Sequence, residues 1–321
     1  MVLLNCRTVL PVLGGPASGP GRDSPDDGSL TKGMMAIWEK IRILLEMIKF
    51  EHSVFALPFA LTGALLAERG LPGGLVLFWL VMAMVWARTA AMGFNRIVDR
   101  KFDAANPRTA DRAIPAGTVK LWEAWALVLV ASGLFFLSCA MLNLLALLIS
   151  PLALALTFLY SLTKRFTWLC HVVLGVALAV SPLGGWVAVT GTLSGFPWVL
   201  SLGVLFWVAG FDTVYACLDT EFDRSAGLFS LPARFGPRQA FRLAVFFHVL
   251  AFLCFVITGL VMGLHFIFAL GLLIAAGALF YQHLAVSPGD LTRIRLSFFT
   301  LNGLISLVMF AATWLALAIG S

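Results

Sequence analysis

Long apolar stretches dominate this chain and limit what it can fold into. Leu121 to Ala140 and Trp198 to Leu218 are two examples, and each reaches the roughly 20 residues that an α-helix needs to cross a bilayer. The apolar and polar residues do not alternate, as they do in the strands of a membrane barrel. Only 12% of the residues are charged, against about 25% in soluble domains. The sequence therefore predicts an all-α integral membrane protein.

About nine transmembrane helices are predicted, each placed to within a few residues: 52–68, 74–96, 120–140, 142–162, 168–190, 197–217, 238–262, 264–284 and 296–319. Basic residues are concentrated in the connections after the even-numbered spans, whereas those after the odd-numbered spans contain only Arg69. Because basic connections stay in the cytoplasm, the first group and the N-terminus are expected there and the C-terminus outside. The expected location is a bacterial-type inner membrane.

The chain is predicted to have three parts. Residues 1–33 are rich in Gly, Pro, Asp and Ser and are expected to be disordered; an alternative start at Met34 would remove them. Residues 34–51 have apolar residues at helical spacing and predict an amphipathic helix on the membrane surface. Residues 52–321 form the transmembrane domain. The net charge of +6 fits the basic cytoplasmic connections of a membrane protein. The expected partner is therefore membrane lipid and not nucleic acid.

Two acidic motifs follow even-numbered spans and are therefore expected at the same membrane surface. The first places Asn95, Asp99 and Asp103 at intervals of four residues, so that they share one face of a helix. The second places Tyr215, Asp219 and Asp223 in the same register. Four spans separate the corresponding aspartates, which indicates an internal pseudo-repeat with two acidic faces that meet.

Carboxylates at the ends of apolar spans need a physical reason, since an aspartate within a bilayer costs about 2.5–3.5 kcal/mol. Magnesium takes oxygen ligands and is commonly held by one or two carboxylates together with substrate phosphates. Two facing carboxylate pairs therefore predict a diphosphate bridged by magnesium. The alternative is solvated loop charges paired with arginines such as Arg100 and Arg224, which would explain a single motif better than two in matching register.

Basic residues on the same surface complete the predicted anion site. Arg108 and Arg112 follow the first motif, and Tyr160 precedes Lys164 and Arg165 at the end of the fourth span. Guanidinium and ammonium groups are the usual partners of phosphate oxygens. Lys164 and Arg112 are expected to bind phosphate, and Arg165 less so. Arg88, inside the second span, lies roughly 10 Å from the first motif at 1.5 Å per residue, within reach of the same cavity.

These motifs resemble those of the UbiA superfamily of intramembrane aromatic prenyltransferases. The resemblance runs from about Lys49 to the C-terminus and rests on four motifs in order: the acidic motif from Asn95 to Asp103, the stretch from Arg108 to Gly117, Tyr160 with Lys164, and the acidic motif from Asp212 to Asp223 followed by Ala-Arg-Phe-Gly at 233–236. The resemblance implies nine helices around a central cavity. It also implies that both aspartate motifs bind magnesium and a prenyl diphosphate at the cytoplasmic side.

Roles at the matching positions follow from the resemblance. The implied metal ligands are Asp99, Asp103, Asp219 and Asp223, and the implied contacts of the prenyl diphosphate are Asn95, Arg108, Tyr160, Lys164 and Tyr215. Lys164 and Arg112 would stabilise negative charge on the leaving diphosphate. Asp212, about two helical turns before Asp219, would accept the ring proton of the aromatic substrate.

The acceptor is less sharply indicated than the prenyl donor. The first motif and its Pro115-x-Gly117 end look like the quinone-biosynthesis branch that uses 4-hydroxybenzoate, whereas Lys49-Phe-Glu-His-Ser departs from the Arg-x-Asp-Lys-Pro of the family. The segment also looks like a sub-branch of the futalosine route to menaquinone, with a naphthoate-type acceptor.

Two other classes compete with an enzyme. An ion-coupled transporter, or a membrane-anchored assembly protein, would have acids toward the bilayer midplane or unrepeated, whereas this chain gathers them at one face beside basic residues. The five histidines are expected to be packing or interface residues.

Overall fold

The computed structural model describes residues 38–40, 42–44, 46–47, 55–195, 197–294 and 296–320. Every regular element in these ranges is helical, apart from one isolated bridge between Ser287 and Asp290. The predicted all-α class is confirmed. The disorder predicted for 1–33 lies outside the described residues, as does the segment 49–53 that bears on the acceptor. Of the predicted surface helix 34–51, the described residues are helical.

Between residues 55 and 320, the described part of the chain forms eleven α-helices: α1 Leu57–Glu68, α2 Gly74–Ala105, α3 Leu121–Leu142, α4 Leu144–Thr163, α5 Cys170–Thr190, α6 Pro197–Tyr215, α7 Thr220–Ser225, α8 Leu231–Phe235, α9 Pro237–Met262, α10 Phe266–Ala285 and α11 Asn302–Gly320. A 3₁₀ turn, Ala216–Asp219, joins α6 to α7, and a π-helical turn, Leu296–Leu301, precedes α11.

Eight segments of the described chain are long and apolar enough to cross a membrane: α2, α3, α4, α5, Pro197–Ser225, α9, α10 and Leu296–Gly320. They correspond to the last eight predicted spans. The first predicted span, 52–68, corresponds to α1, whose 12 residues are fewer than the roughly 20 that a spanning helix needs. Residues 52–54 of that span lie outside the described part.

Glycines allow α1 and α5 to pack backbone against backbone. A methyl group added at Gly63 would overlap the carbonyl of Pro182, and one added at Gly185 would overlap the carbonyl of Ala60. Helices in lipid associate through close van der Waals packing, because water no longer drives apolar surfaces together. Small residues at this contact therefore fix α1 against α5.

The segment Pro197–Ser225 runs through the middle of the bundle. Of its most hydrophobic stretch, 67% is buried inside the protein, against 22% for α2. Trp207 in this segment packs on Phe59 of α1 at a ring-centroid distance of 5.2 Å and donates a hydrogen bond to Asn302 of α11 over 2.9 Å. The acids at the end of this segment are therefore held by an enclosed and well-packed helix.

The two acidic motifs have different backbones. Helix α2 has 32 residues and continues past the predicted end of the span at 96, so Asn95, Asp99 and Asp103 lie on one continuous α-helix. In the second motif, Tyr215 ends α6, Asp219 lies in the 3₁₀ turn and Asp223 lies in α7. Because a 3₁₀ turn has 3.0 residues per turn and not 3.6, the prediction that the second motif repeats one α-helical register was wrong.

Candidate active site

A cavity of about 180 Å³ lies where the C-terminal ends of α2, α4 and α6 meet the segments that follow them. All the residues to which the sequence assigned a role line it: Asn95, Asp99, Asp103, Arg108, Arg112, Tyr160, Lys164, Asp212, Tyr215, Asp219 and Asp223. Arg88 is not among the described residues that line it. The structure thus brings both motifs and the basic residues to one place, and the individual roles stay predictions.

The four predicted metal ligands of the two motifs each form an ion pair with a different basic residue. The N···O distances are 3.0 Å for Asp99–Arg165, 2.7 Å for Asp103–Arg112, 2.6 Å for Asp219–Arg108 and 3.4 Å for Asp223–Lys164. A charge removed from water is costly unless a partner and further hydrogen bonds compensate it. One-to-one pairing therefore offsets the cost of placing these carboxylates inside an apolar bundle.

The pair of Arg108 and Asp219 connects the two motifs. Arg108 Nε donates to Asp219 Oδ1 over 2.9 Å and Nη2 donates to Oδ2 over 2.6 Å, while the amide of Asn106 donates to Oδ1 over 3.2 Å. Burial disfavours the guanidinium charge, but the hydrogen bonds and negative charge of Asp219 outweigh burial and raise the pKa of Arg108. A bidentate pair of this kind fixes geometry as well as charge.

Lys164 lies at the C-terminal end of α4, opposite Asp223. Burial opposes its charge, but the nearby carboxylate of Asp223 outweighs this and raises the pKa of Lys164. Its backbone carbonyl accepts a hydrogen bond from the N–H of Phe229 over 2.7 Å. The ammonium group is therefore charged, and its backbone is attached to the segment that follows the second motif.

The oxygen atoms around the cavity suit a magnesium ion held jointly with substrate. Asp103 Oδ2 is buried and has no hydrogen-bond partner among the described residues, so one carboxylate oxygen is left for a ligand. Within the same part of the chain, no three acidic, histidine or cysteine side chains converge as a ready-made metal site. Magnesium commonly uses one or two carboxylates and takes the rest of its oxygens from water and substrate phosphates. The donor set therefore fits magnesium.

Three residues at the site were not predicted for the roles they show. Arg165 pairs with Asp99, although a basic residue at a helix end reads as a membrane anchor. Asn106 donates a hydrogen bond to Asp219. The sequence feature that could have indicated this contact is the Asn-x-Arg that follows the first motif. The Nδ1 of His171 lies 2.6 Å from Asp212 Oδ2, a contact that the expectation of a packing or interface residue did not include.

Two further histidines, His248 in α9 and His283 in α10, contact each other over 2.8 Å. No local sequence signal connects the members of either histidine contact.

Comparison with known proteins identifies the family. Residues 56–318 match the model of the UbiA prenyltransferase family. The chain is 30% identical over 251 residues to 4-hydroxybenzoate octaprenyltransferase of Shewanella woodyi, covering 77% of this chain and 87% of that one. It is 34% identical over 247 residues to the Vibrio cholerae protein of the same name, covering 77% and 85%.

Solved structures give the same result. An apo structure of a UbiA homologue from Aeropyrum pernix K1 has a TM-score of 0.76 at 37% identity, covering 82% of this chain and 97% of that one. A UbiA homologue from Archaeoglobus fulgidus bound to GPP and Mg²⁺ has a TM-score of 0.63 at 16% identity, covering 86% and 99%, a likeness of fold alone. With sequence and fold in agreement over most of its length, this multi-pass membrane protein belongs to the UbiA prenyltransferase family and is a prenyltransferase.

Proposed function

We propose that this protein uses magnesium to transfer a polyprenyl group from polyprenyl diphosphate to an aromatic acid of the 4-hydroxybenzoate type, in respiratory quinone biosynthesis. The observation that carries the proposal is that both acidic motifs line one cavity together with their basic partners. The relatives named 4-hydroxybenzoate octaprenyltransferase support the acceptor. A transporter would not need four carboxylates gathered beside phosphate-binding cations at one end of the bundle.

Binding of the diphosphate exchanges the partners of the ion pairs. A diphosphate offers anionic oxygens to Arg112 and Lys164 in place of Asp103 and Asp223. Guanidinium and ammonium groups bind phosphate as readily as carboxylate. The released carboxylates, with Asp99 and Asp219, are the groups that would hold magnesium. Magnesium supplies positive charge against the diphosphate when it is bound.

Other lining residues position the donor. The ring of Tyr215 packs against Phe298 at a centroid distance of 4.2 Å, and the guanidinium of Arg108 lies 5.8 Å from the centroid of the same ring. The phenol is therefore held in the cavity wall. Asn95 and Tyr160 supply neutral polar groups at the same cavity. We assign Tyr215, Asn95, Tyr160 and Arg108 to positioning of the prenyl diphosphate.

Bond cleavage is the step at which the basic residues matter most. As the allylic carbon–oxygen bond breaks, the electron pair goes to the diphosphate, and the prenyl group becomes a cation. Lys164 and Arg112 stabilise the charge that develops on the leaving group. The apolar helices around the cavity exclude water, which would otherwise capture the cation.

Asp212 completes the reaction. A ring carbon next to the phenol oxygen attacks the prenyl cation and forms the new carbon–carbon bond. The same ring carbon then gives up its proton, which restores the aromatic ring. Asp212 lines the cavity and precedes Asp219 by about two helical turns, so it lies deeper than the diphosphate site. We assign its carboxylate as the proton acceptor.

Incubation of the purified protein with magnesium and a panel of prenyl diphosphates and aromatic acids tests the proposal. We expect a prenylated 4-hydroxybenzoate, identified by mass, that requires magnesium. Prenylation of a naphthoate-type acid alone would assign the chain to menaquinone biosynthesis. No transfer to any aromatic acid would refute the proposed acceptor class. We place the reaction at the cytoplasmic side of the inner membrane, because the basic connections surround this cavity.

A further inference from the structure

His171 lies between Asp212 and the backbone that follows the second motif. Its Nδ1 is 2.6 Å from Asp212 Oδ2, and its Nε2 accepts a hydrogen bond from the N–H of Leu231 over 3.4 Å. The imidazole is completely buried. Three elements therefore meet at this ring: α6 through Asp212, α5 through His171 itself and the start of α8 through Leu231.

The two hydrogen bonds define the tautomer of His171. A backbone N–H can only donate, so Nε2 must present its lone pair to Leu231. The proton of a neutral imidazole is then on Nδ1, which donates to the carboxylate of Asp212. An imidazolium would carry a proton on Nε2 as well and would lose the bond from Leu231. The contacts thus describe a neutral ring that points its Nδ1–H at the carboxylate of Asp212.

The backbone around Leu231 is itself held in place. The N–H of Phe229 donates to the carbonyl of Lys164 over 2.7 Å, and the thiol of Cys170 donates to the carbonyl of Phe229 over 3.5 Å. Residues 229–231 are therefore attached to residues 164–171 at three points, of which His171 is one. With its far side held in this way, the imidazole cannot turn away from Asp212.

We infer that His171 is a positioning residue for the proton-transfer step, an inference that rests on the proposed role of Asp212. The Nδ1–H bond holds Oδ2 and thereby fixes the orientation of the carboxylate. Oδ1 is then the oxygen left to take the proton from the ring carbon. His171 does not touch the substrate and acts only through Asp212.

A matched pair of variants separates the two nitrogen atoms. In His171→Asn the side-chain amide places a donor near the position of Nδ1, whereas in His171→Gln the terminal group lies near Nε2 and can accept from Leu231. We expect the Asn variant to retain kcat within about threefold. The Gln variant should lose about 10- to 100-fold in kcat, as expected for a hydrogen bond to a charged group. The KM for prenyl diphosphate should be unchanged in both.

Equal losses of kcat in the two variants, or a near-normal Gln variant, would overturn the inference. Nitrogen-15 NMR of histidine-labelled protein in micelles provides a test that does not depend on turnover. The wild type should show a neutral ring protonated on Nδ1 whose signals disappear in His171→Asn. An imidazolium, or a ring protonated on Nε2, would also overturn the inference. If the wild type transfers nothing to any aromatic acid while the Nδ1–H ring is present, the proposed function fails and the role of His171 in proton transfer fails with it, whereas a failure of the variant test alone leaves the proposed function intact.

Discussion

Asp99→Asn is expected to separate catalysis from folding. The side chains of Asp99 and Arg165 are 29% and 31% exposed, and ion pairs at such partly exposed positions are worth roughly 0–1 kcal/mol. Asparagine has the same shape and keeps an oxygen that can accept from Arg165. We therefore expect the free energy of unfolding to fall by less than about 1 kcal/mol.

The expected effect of Asp99→Asn on the reaction is much larger. The change removes one negative charge from the group that would hold magnesium, and magnesium must offset the charge on the leaving diphosphate. Loss of one preorganised electrostatic contact to a transition state costs about 10²–10³ in kcat, or about 2.7–4 kcal/mol. The loss in kcat, expressed as free energy, should thus be several times larger than the loss in the free energy of unfolding.

The assay measures prenylated product against time over a range of magnesium concentrations, together with thermal unfolding in detergent. Asp111→Asn is the matched control, since Asp111 is exposed, follows the same motif and is not among the residues that line the cavity. The control should stay within about twofold of the wild type, as expected for a solvated charge. Near-normal turnover of Asp99→Asn at ordinary magnesium concentration would refute the two-motif site.

Three further predictions follow from the same contacts. Asp219→Asn should abolish transfer and also lower unfolding stability by about 1–3 kcal/mol, less than a fully buried pair because Arg108 is partly exposed; an unchanged melting temperature would contradict this. Cysteines at the exposed positions Ala105 and Ser225 should react only with reagents that reach the cytoplasm, with the parent protein as control, and labelling from outside would contradict the topology. Magnesium should tighten prenyl diphosphate binding by about 5- to 150-fold, and equal affinity without magnesium would contradict joint binding.

The spans were predictable because hydrophobic length reports the thickness of a bilayer. The predicted 142–162 and 168–190 agree closely with Leu144–Thr163 and Cys170–Thr190. The end of α2 was not predictable in this way. Its last turns contain charged residues that end the hydrophobic stretch, yet they remain helical to Ala105 and line a polar cavity. The spacing of the first motif by four residues, and not hydropathy, indicated this helix. Hydropathy indicates which residues lie in the hydrocarbon core of the bilayer, and a helix can continue beyond that core.

The membership of the site was predictable, but the contacts within it were not. Spacing by four residues and the shared membrane side brought the right aspartates together. Which cation meets which carboxylate depends on the path of the connections, so the pairing of Arg108 with Asp219 follows only from the structure. The 3₁₀ turn Ala216–Asp219 was not predictable either, because equal spacing in the sequence does not show whether the backbone is α-helical or 3₁₀.

The charges around the cavity explain why donor and metal should bind together. Five carboxylates and five cations line it: Asp99, Asp103, Asp212, Asp219 and Asp223, with Arg96, Arg108, Arg112, Lys164 and Arg165. With a neutral His171 this group is balanced, as a site enclosed by apolar helices requires, since uncompensated charge away from water is costly. A diphosphate alone would bring unbalanced negative charge into the cavity. Magnesium alone would bring unbalanced positive charge. The two together disturb the balance less than either alone, and each is therefore expected to strengthen the binding of the other.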